Sequence, residues 1–526
     1  MENSGKMTFF QYCRDRRLII ISILLITVAV YAMWAAQDIV TFDAEGLYNE
    51  SSAVKWHKAS IAMGRWGTYY IKKLFGTLIV NPYFSVAVFW VCFPLSAILW
   101  LYNIYTWDNR CKRTELEMVV SELIFCLIYL THPVWAFVFS YRSHLEVMTF
   151  AFFLLPLSLL FLSKAMEKRS AVYYFCACAG VVVTFSCYST FMLMYGVGIC
   201  MFLYFRTSDV AQSLKDTWRL IRKLVLFTVI CVVVYYLTVK ITMAHCGIEG
   251  LTSYLTDNFK WGTEPFADSF QRLMGHLKEF FLGNKVIYTS LYAWVVLISF
   301  GINLAYVIKK RYKWWRVLCL FGVVITPLLL NILTAGDIVI RGQMPFVLAL
   351  AFLASEVCKE FITATHSIKN EGGWLELKRG VNIIAIAVIG IFVVHQVQYD
   401  TRWMYSDVKF MEMDFAELDE IYYTALQNGG EEGDAIVFVG GLSPNLNDSL
   451  LTGEVIGFSY FAFTGYYNDS GKIIEAMNAV GYNVVVPTAE QQEKAVELAE
   501  DMNAWPSEGS IKVVDHLIIV RLTYPF

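Results

Sequence analysis

The 526-residue chain is poor in charge: Asp, Glu, Lys and Arg make up 17% of it, against roughly a quarter in soluble proteins. It has no G-x-x-x-x-G-K-[ST], H-E-x-x-H or paired C-x-x-C motif, so a P-loop ATPase, a zincin and a zinc-ribbon site are unsupported. It also has no repeat of fixed period and no low-complexity tract. We therefore predict no metal site, no cofactor and no nucleic-acid partner.

Hydrophobic residues are abundant instead, at 57% of the chain, and they are concentrated in runs. About 20 apolar residues suffice for a helix to cross a bilayer, where backbone groups must pair within their own segment. These runs predict an α-helical polytopic membrane protein with about 11 transmembrane helices. The runs lie near residues 18–37, 84–105, 118–138, 147–163, 171–187, 189–205, 223–243, 286–308, 317–335, 344–358 and 380–397.

The distribution of Lys and Arg predicts the orientation. With the N-terminus inside, the inner segments hold 24 basic residues and the outer loops before residue 398 hold 12. An odd number of spans then places the C-terminus outside, at a cell membrane. The first apolar run is longer than the signal-peptide core of about 7–15 residues, which favours an uncleaved span. Cys246 alone falls clearly in an outer loop, so no disulfide framework is implied.

Residues 1–397 form the predicted transmembrane domain, with large outer loops at 38–83 and 244–285. Residues 398–526 differ in composition: they hold 21 acids and 6 bases, and short apolar runs alternate with helical patterns. We expect them to form a small acidic α/β domain on the extracytoplasmic side. Its acidity either repels anionic polymers or keeps the domain soluble, and the second is the simpler interpretation.

The second outer loop ends in DSFQRLMGHLKEFFLG, whose apolar residues recur at helical spacing. This pattern is typical of a helix in the membrane interface, and equally of a helix packed on neighbouring loops. Both interpretations stay open at this point.

Ionisable side chains cluster where the predicted outer loops meet the spans. Such groups cost ~2.5–3.5 kcal/mol at the centre of a membrane helix, so they are functional candidates by default. The shared outer side would let acids, bases and histidines converge on one pocket. The group comprises Asp43 and Glu45 in TFDAEGLYN, Arg65, His132, Arg142, His144, Glu146, Asp337 and Arg341.

Acids and arginines in one outer pocket suit glycosyl transfer from a lipid-linked phosphosugar. A carboxylate takes the proton of the attacking hydroxyl, and guanidinium groups stabilise the departing phosphate. Structural interpretations stand beside this one. Asp43 and Glu45 are also typical of solvated loops, and Arg65 with Trp66 of an interfacial anchor. Arg142 with Glu146, and Asp337 with Arg341, have the i,i+4 spacing of helix ion pairs, and histidines are often core residues.

The arrangement of these residues resembles the bacterial membrane glucosyltransferase II family, of the GT-C class, which modifies O-antigen and related cell-surface polysaccharides. The resemblance covers roughly residues 15 to 400. Its features in chain order are Asp43 and Glu45 after the first span, Gly64-Arg65-Trp66, HPVWAFVFSYRSHLE with Tyr141, SCYST with Tyr188, and IRGQMP with Arg341.

The resemblance implies an inverting, metal-independent hexosyltransferase that uses a polyprenyl-phosphate-linked hexose, glucose above all, as its donor. The acceptor would be a cell-surface polysaccharide or a lipid-linked glycan; a donor synthase and a flippase are implied as partners. Asp43 maps best onto the general base, with Glu45 as the second acid. Substrate-binding candidates are Arg65, Trp66, His132, Tyr141, Arg142, His144, Glu146, Tyr188, Asp337 and Arg341. The alternatives are a flippase or transporter of a lipid-linked saccharide and a non-catalytic envelope assembly protein.

Overall fold

The computed structural model describes residues 7–37, 40–108, 115–207, 213–252, 258–284, 289–366, 373–443, 447–453, 456–467 and 469–522. These residues are mostly helical, as the apolar runs predict. Residues 286–288 of the run expected at 286–308 lie outside the described residues.

The first part of the chain is a series of helices joined mostly by short turns. Their bounds are α1 Phe9–Asp15, α2 Arg17–Ala35, α3 Glu50–Ala62, α4 Trp66–Phe75, α5 Pro82–Trp107, α6 Glu115–Thr131, α7 Val134–Phe139, α8 Leu145–Lys168, α9 Ala171–Cys187, α10 Phe191–Arg206, α11 Leu214–His245, α12 Phe266–Leu282, α13 Leu291–Ile308, α14 Trp315–Ile325, α15 Leu329–Thr334 and α16 Met344–His366. Short 3-10 turns lie at Glu45–Leu47, Arg142–His144, Thr326–Leu328 and Ile340–Gln343.

Six helical segments among the described residues are long and apolar enough to cross a membrane. They are Arg17–Ala35, Pro82–Trp107, Arg142–Lys168, Leu214–His245, Leu291–Ile308 and Trp315–Thr334. Two shorter apolar helices, α9 and α10, accompany them. The prediction of a mostly helical polytopic membrane protein is confirmed, and the count of eleven spans stays a prediction.

The membrane helices pack around one large apolar core. The most extensive contacts join α5 with α8, α8 with α9, and α6 with α16. Trp100, Trp107 and Trp135 are completely buried in this core. The outer faces remain apolar: Leu226 and Ile241 of α11 are 60% and 67% exposed, as expected for side chains that face lipid.

One helix, α17 (Gly373–Gln427), is continuous over its whole length. It contains the last apolar run, near 380–397, and continues through the segment predicted to begin the C-terminal domain. The domain boundary expected at 397/398 therefore falls inside a helix. Because an α-helix rises about 1.5 Å per residue, α17 is roughly 80 Å long and connects the membrane helices to the C-terminal region without an intervening loop.

The rest of the C-terminal region (residues 398–522) packs on the end of α17. Its elements are β1 Ala435–Val439, α18 Tyr460–Tyr467, α19 Gly471–Ala479, α20 Ala489–Ala499, β2 Ile511–Val514 and β3 Leu517–Arg521. The sheet has the order β1-β3-β2, with β1 parallel and β2 antiparallel to β3. Asp515 and His516, both at positive φ, form the two-residue hairpin between β2 and β3. Val485 forms an isolated β-bridge with Ala435 of β1.

The core of the C-terminal region includes one residue from far away in the chain. Phe42, next to the two acids after α2, is 6% exposed and belongs to this second apolar cluster. Its ring lies 5.3 Å from that of Tyr460 and 5.0 Å from that of Phe463, both on α18. The loop after the first membrane helix is thus packed into the C-terminal region.

Helix α12 packs against its neighbours, which is one of the two interpretations that its sequence left open; the membrane-interface interpretation stays a prediction. Leu273 and Phe280 are buried, and Phe280 packs against Phe346 of α16 at 5.2 Å between ring centroids. Phe270 and Met274 are 47% and 48% exposed. One edge of the helix therefore packs on the bundle, while another apolar edge is free to meet a membrane interface.

Candidate functional site

A cavity of about 280 Å³ collects half of the predicted site residues. It lies where the loop after α2, the turn between α3 and α4, the α7–α8 turn and the turn before α16 meet. Its lining includes six of the twelve predicted residues, and these are Asp43, Arg65, Tyr141, His144, Tyr188 and Arg341. Trp56, Ala59, Ser60, Met63, Val138 and Met148 complete it.

Asp43 and Glu45 point into different surroundings although they are two residues apart. Asp43 has a positive φ of 66°, a conformation that is uncommon outside glycine but that aspartate adopts more readily than most residues. It lies in a turn closed by the hydrogen bond of 2.9 Å from the Ala44 N–H to the Thr41 carbonyl. Its carboxylate lines the cavity and is 36% exposed. Glu45 begins a 3-10 turn and is 2% exposed. The backbone turn at Asp43 therefore separates one accessible acid from one buried acid.

A lysine of the C-terminal region lies between the two acids. Lys472, on α19, donates a hydrogen bond to Asp43 Oδ1 and another, of 2.8 Å, to Glu45 Oε1. The other oxygen of Glu45 accepts a hydrogen bond of 3.2 Å from the hydroxyl of Tyr460. Neither Lys472 nor Tyr460 was predicted from the sequence. The sequence feature that could have pointed to Lys472 is the scarcity of bases in this region, which holds 21 acids and only six bases, Lys472 among them.

The charges in this cluster influence one another strongly. Burial, helped by the charge of Asp43, outweighs the opposite influence of Lys472 and raises the pKa of Glu45 to about 7. Burial lowers the pKa of Lys472, but the carboxylates of Glu45 and Asp43 outweigh burial and raise that pKa above its usual range. Lys472 is therefore a stable cation beside two acids, and the buried one, Glu45, is protonated more easily than an ordinary glutamate.

Arg65 reaches the cavity from a turn that requires glycine. Gly64 has a φ of 78°, and an added Cβ there would lie 2.8 Å from the hydroxyl of Tyr235. That hydroxyl donates a hydrogen bond of 3.1 Å to the Gly64 carbonyl. The guanidinium carbon of Arg65 lies 4.4 Å above the ring centroid of Tyr188. The Gly-Arg-Trp motif is thus a tight turn that directs an arginine toward an aromatic face.

Arg341 contacts the same tyrosine at its hydroxyl group. Its Nε donates a hydrogen bond of 3.2 Å to the Tyr188 hydroxyl, and its terminal nitrogen donates one to the Tyr141 hydroxyl. The guanidinium carbon also lies 4.1 Å from the ring centroid of Tyr141. Burial lowers the pKa of Arg341, but Tyr188, Tyr141 and the charge of Asp43 outweigh it, so that the side chain stays cationic. Two guanidinium groups and a carboxylate therefore share one cavity.

His144 is the remaining polar side chain that the sequence placed there. Its Nδ1 lies 2.9 Å from the Ser143 hydroxyl, and its ring packs at 4.8 Å from that of Trp56. Its Nε2 is buried without a hydrogen-bond partner among the described residues. A polar atom in this position is suited to bind a hydroxyl of a ligand in the cavity.

Glu146 and Arg142 do not line the cavity but support the helices around it. Glu146 accepts hydrogen bonds from Lys72 at 2.6 Å, Thr77 at 2.8 Å and Ser85 at 2.9 Å, and it is completely buried. Arg142 is 1% exposed; its guanidinium donates to the Trp34 carbonyl at 2.9 Å and lies over the Trp34 ring. These contacts fix α8 to α4 and α5, and to the end of α2.

The other three predicted residues also lie outside the cavity. His132 is completely buried, accepts a hydrogen bond from the Val134 N–H and packs against Phe346. Trp66 packs on a small apolar cluster that contains Val239 of α11. Asp337 is 76% exposed and pairs with His276 of α12 at 3.2 Å. Among the described residues, no group of three or more His, Cys, Asp or Glu side chains is arranged to hold a metal ion.

The fold and the cavity define a polytopic membrane protein in which polar groups from several helix ends meet. A family model described as Glucosyl transferase GtrII matches residues 49–354, more than half of the chain. The chain belongs to this family, and it is a membrane glycosyltransferase. The matched segment contains Arg65, His144, Tyr188 and Arg341, whereas Asp43 precedes it. No curated protein and no solved structure matches the chain.

Proposed function

We propose that the protein transfers a hexose, glucose above all, from a polyprenyl-phosphate-linked donor to a cell-surface polysaccharide or lipid-linked glycan. One observation carries this proposal: an accessible carboxylate and two guanidinium groups line the same cavity, at the ends of apolar helices. Its volume of about 280 Å³ is near the lower limit of small-molecule pockets, which begin at about 300 Å³. This space suits one sugar ring and its phosphate.

Asp43 is the general base in this mechanism. Its carboxylate takes the proton from the acceptor hydroxyl while that oxygen attacks the anomeric carbon of the donor. The bond from the anomeric carbon to the phosphate oxygen breaks on the opposite side, and the electron pair leaves with the polyprenyl phosphate. A single displacement of this kind inverts the anomeric configuration.

Arg65 and Arg341 stabilise the leaving phosphate. The sequence alone did not rank the three arginines, but Arg142 is buried against α2 while the other two line the cavity. Both guanidinium groups contact Tyr188, so their side chains are held in place before the donor binds. Positive charge from two arginines supplies the stabilisation that a metal ion gives in other transferases, so we expect transfer in the presence of a chelator.

The proposed orientation rests on the positive-inside rule and the position of the cavity. With the N-terminus cytoplasmic, the loop after α2 and the C-terminal region both lie on the extracytoplasmic side. The donor would present its sugar at this face while its polyprenyl chain stays in the bilayer. A donor synthase and a flippase would have to supply it there.

The test is transfer of labelled glucose from synthetic polyprenyl phosphoglucose by purified protein, with chelator present. Lipid-linked glycans extracted from the source membranes serve as acceptors. We expect transfer by wild type, inversion at the anomeric carbon, and a loss of about 10²–10⁴-fold in Asp43→Asn. Asp337→Asn, a change at an outer acid away from the cavity, is the matched control and should keep its activity. Wild-type protein that moves intact donor across vesicles without transfer would contradict the proposal and favour a flippase.

A further inference from the structure

Asp43 and Glu45 are joined to α19 by a set of direct contacts. Lys472 lies 4.5 Å from the ring centroid of Phe42 and bonds both carboxylates. One turn further along α19, Glu475 accepts a hydrogen bond of 2.9 Å from Ser52 on α3. The C-terminal region is therefore fixed to the loop that holds the proposed base, on both sides of the acidic pair.

We propose that Lys472 is a positioning residue for the transfer reaction: it holds the Asp43 carboxylate at the cavity wall beside a compensating positive charge. This inference rests on the proposed function. It gives the C-terminal region a direct part in the active site, through a lysine separated from Asp43 by 429 residues of chain.

The charge balance supports this role. Two carboxylates close together share a proton unless a cation neutralises one of them. Lys472 contacts both, so that the trio carries one net negative charge when both acids are ionised. When Asp43 takes the proton of the acceptor, Lys472 still has Glu45 at 2.8 Å. The lysine is therefore paired before and after the proton transfer.

The exposure of the contact also points to a role in the reaction. The side chains of Lys472 and Asp43 are 27% and 36% exposed, so a substrate in the cavity can reach the carboxylate.

Other charged and titratable groups act on the same cluster. Across the cavity these are Arg65, Arg341 and His144; from the C-terminal region they are Tyr460, Glu475 and Asp414.

The test compares the pH dependence of kcat/KM in wild type, Lys472→Met and Lys472→Arg. Loss of an adjacent opposite charge shifts a carboxyl titration by ~1–3 pH units. We expect the acid limb of the Lys472→Met profile to move up by at least about one unit, so that activity is lost at about pH 6 and recovers at higher pH. Lys472→Arg should keep the wild-type limb. Lys494→Met, which removes an exposed lysine paired with Asp515, is the matched control.

An equal loss at every pH in Lys472→Met would overturn the inference, because a purely structural lysine has that effect. A second measurement needs no activity: infrared titration of the protonated carboxyl band in the folded protein. We expect a carboxyl step that moves to higher pH in Lys472→Met and is absent in Lys472→Met with Asp43→Asn. If the carboxyl titration has the same midpoint in wild type and Lys472→Met, the role of Lys472 is refuted. If the wild-type protein transfers no sugar, only the proposed function is refuted. If Lys472→Met does not fold, Lys472→Gln takes its place.

Discussion

Two lysine–carboxylate contacts lie close to the cavity, and they differ in access to solvent. Lys72 and Glu146 are both completely buried, and the Thr77 and Ser85 hydroxyls also donate to Glu146. Lys472 and Asp43 remain partly exposed at the cavity wall. A saturated, buried carboxylate has no capacity to take a proton from a substrate. An accessible one does, so we expect the same pair of residue types to support folding in one place and chemistry in the other.

Breaking the buried contact should have the largest effect on stability. We expect Glu146→Ala to lower the free energy of unfolding by about 3–5 kcal/mol, because it leaves Lys72 as a buried, unpaired cation. Thermal unfolding of the purified protein in detergent measures this loss. Glu412→Ala, in an exposed pair with Lys409, should leave the melting temperature unchanged. Equal melting temperatures for Glu146→Ala and wild type would contradict the structural role of the buried contact.

Arginine-to-lysine changes extend the comparison to the cations. Arg341→Lys keeps the charge but loses the planar fork that contacts both tyrosines and that we propose binds the donor phosphate. A hydrogen bond to a charged group contributes about 1.5–3 kcal/mol. We expect kcat/KM for the donor to fall about ten- to a hundredfold in this variant. Arg142→Lys should leave kcat/KM unchanged and lower the melting temperature, because Arg142 holds the end of α2. The reverse pattern would show that the arginines have been assigned wrongly.

The smallest expected effect is on the pH dependence of stability, through Asp414, which accepts a hydrogen bond from the Tyr460 N–H. Burial raises the pKa of Asp414 to about 7, although hydrogen bonds from Ser459 and the Tyr460 N–H lower it. The folded state then binds more protons than the unfolded state between about pH 4 and 7, so this group contributes less stability as the pH rises. We expect the melting temperature to fall across that range, and to fall less steeply in Asp414→Asn. Identical slopes in the two proteins would contradict the assigned role of Asp414.

The local parts of the fold could be predicted from the sequence. The described part of each apolar run is mostly helical, because membrane helices satisfy their backbone within one segment and their composition is a local signal. The runs at 118–138 and 317–335 are each divided by a short turn, which composition does not predict. The continuity of α17 through residues 397/398 was not predicted. Its amphipathic second half differs so much in composition from its apolar first half that the two halves resemble separate elements.

The candidate site was predictable in part. Asp43, Arg65 and Arg341 could be found because charged residues at span ends on one side are few. Which of the two acids faces the cavity depends on the positive φ of Asp43, and an Asp-Ala-Glu sequence does not specify that turn. Lys472 could not be found, because its contact with Asp43 spans 429 residues and requires the tertiary fold.

The most direct measurement compares Asp43→Asn and Glu146→Gln in the same two assays, donor turnover and thermal unfolding. We predict that Asp43→Asn loses about 10²–10⁴-fold in turnover at a nearly unchanged melting temperature. We also predict that Glu146→Gln melts at a lower temperature, and that the protein still folded transfers glucose at a rate much closer to wild type. Undiminished turnover in folded Asp43→Asn would contradict the claim that the accessible acid is the catalytic base.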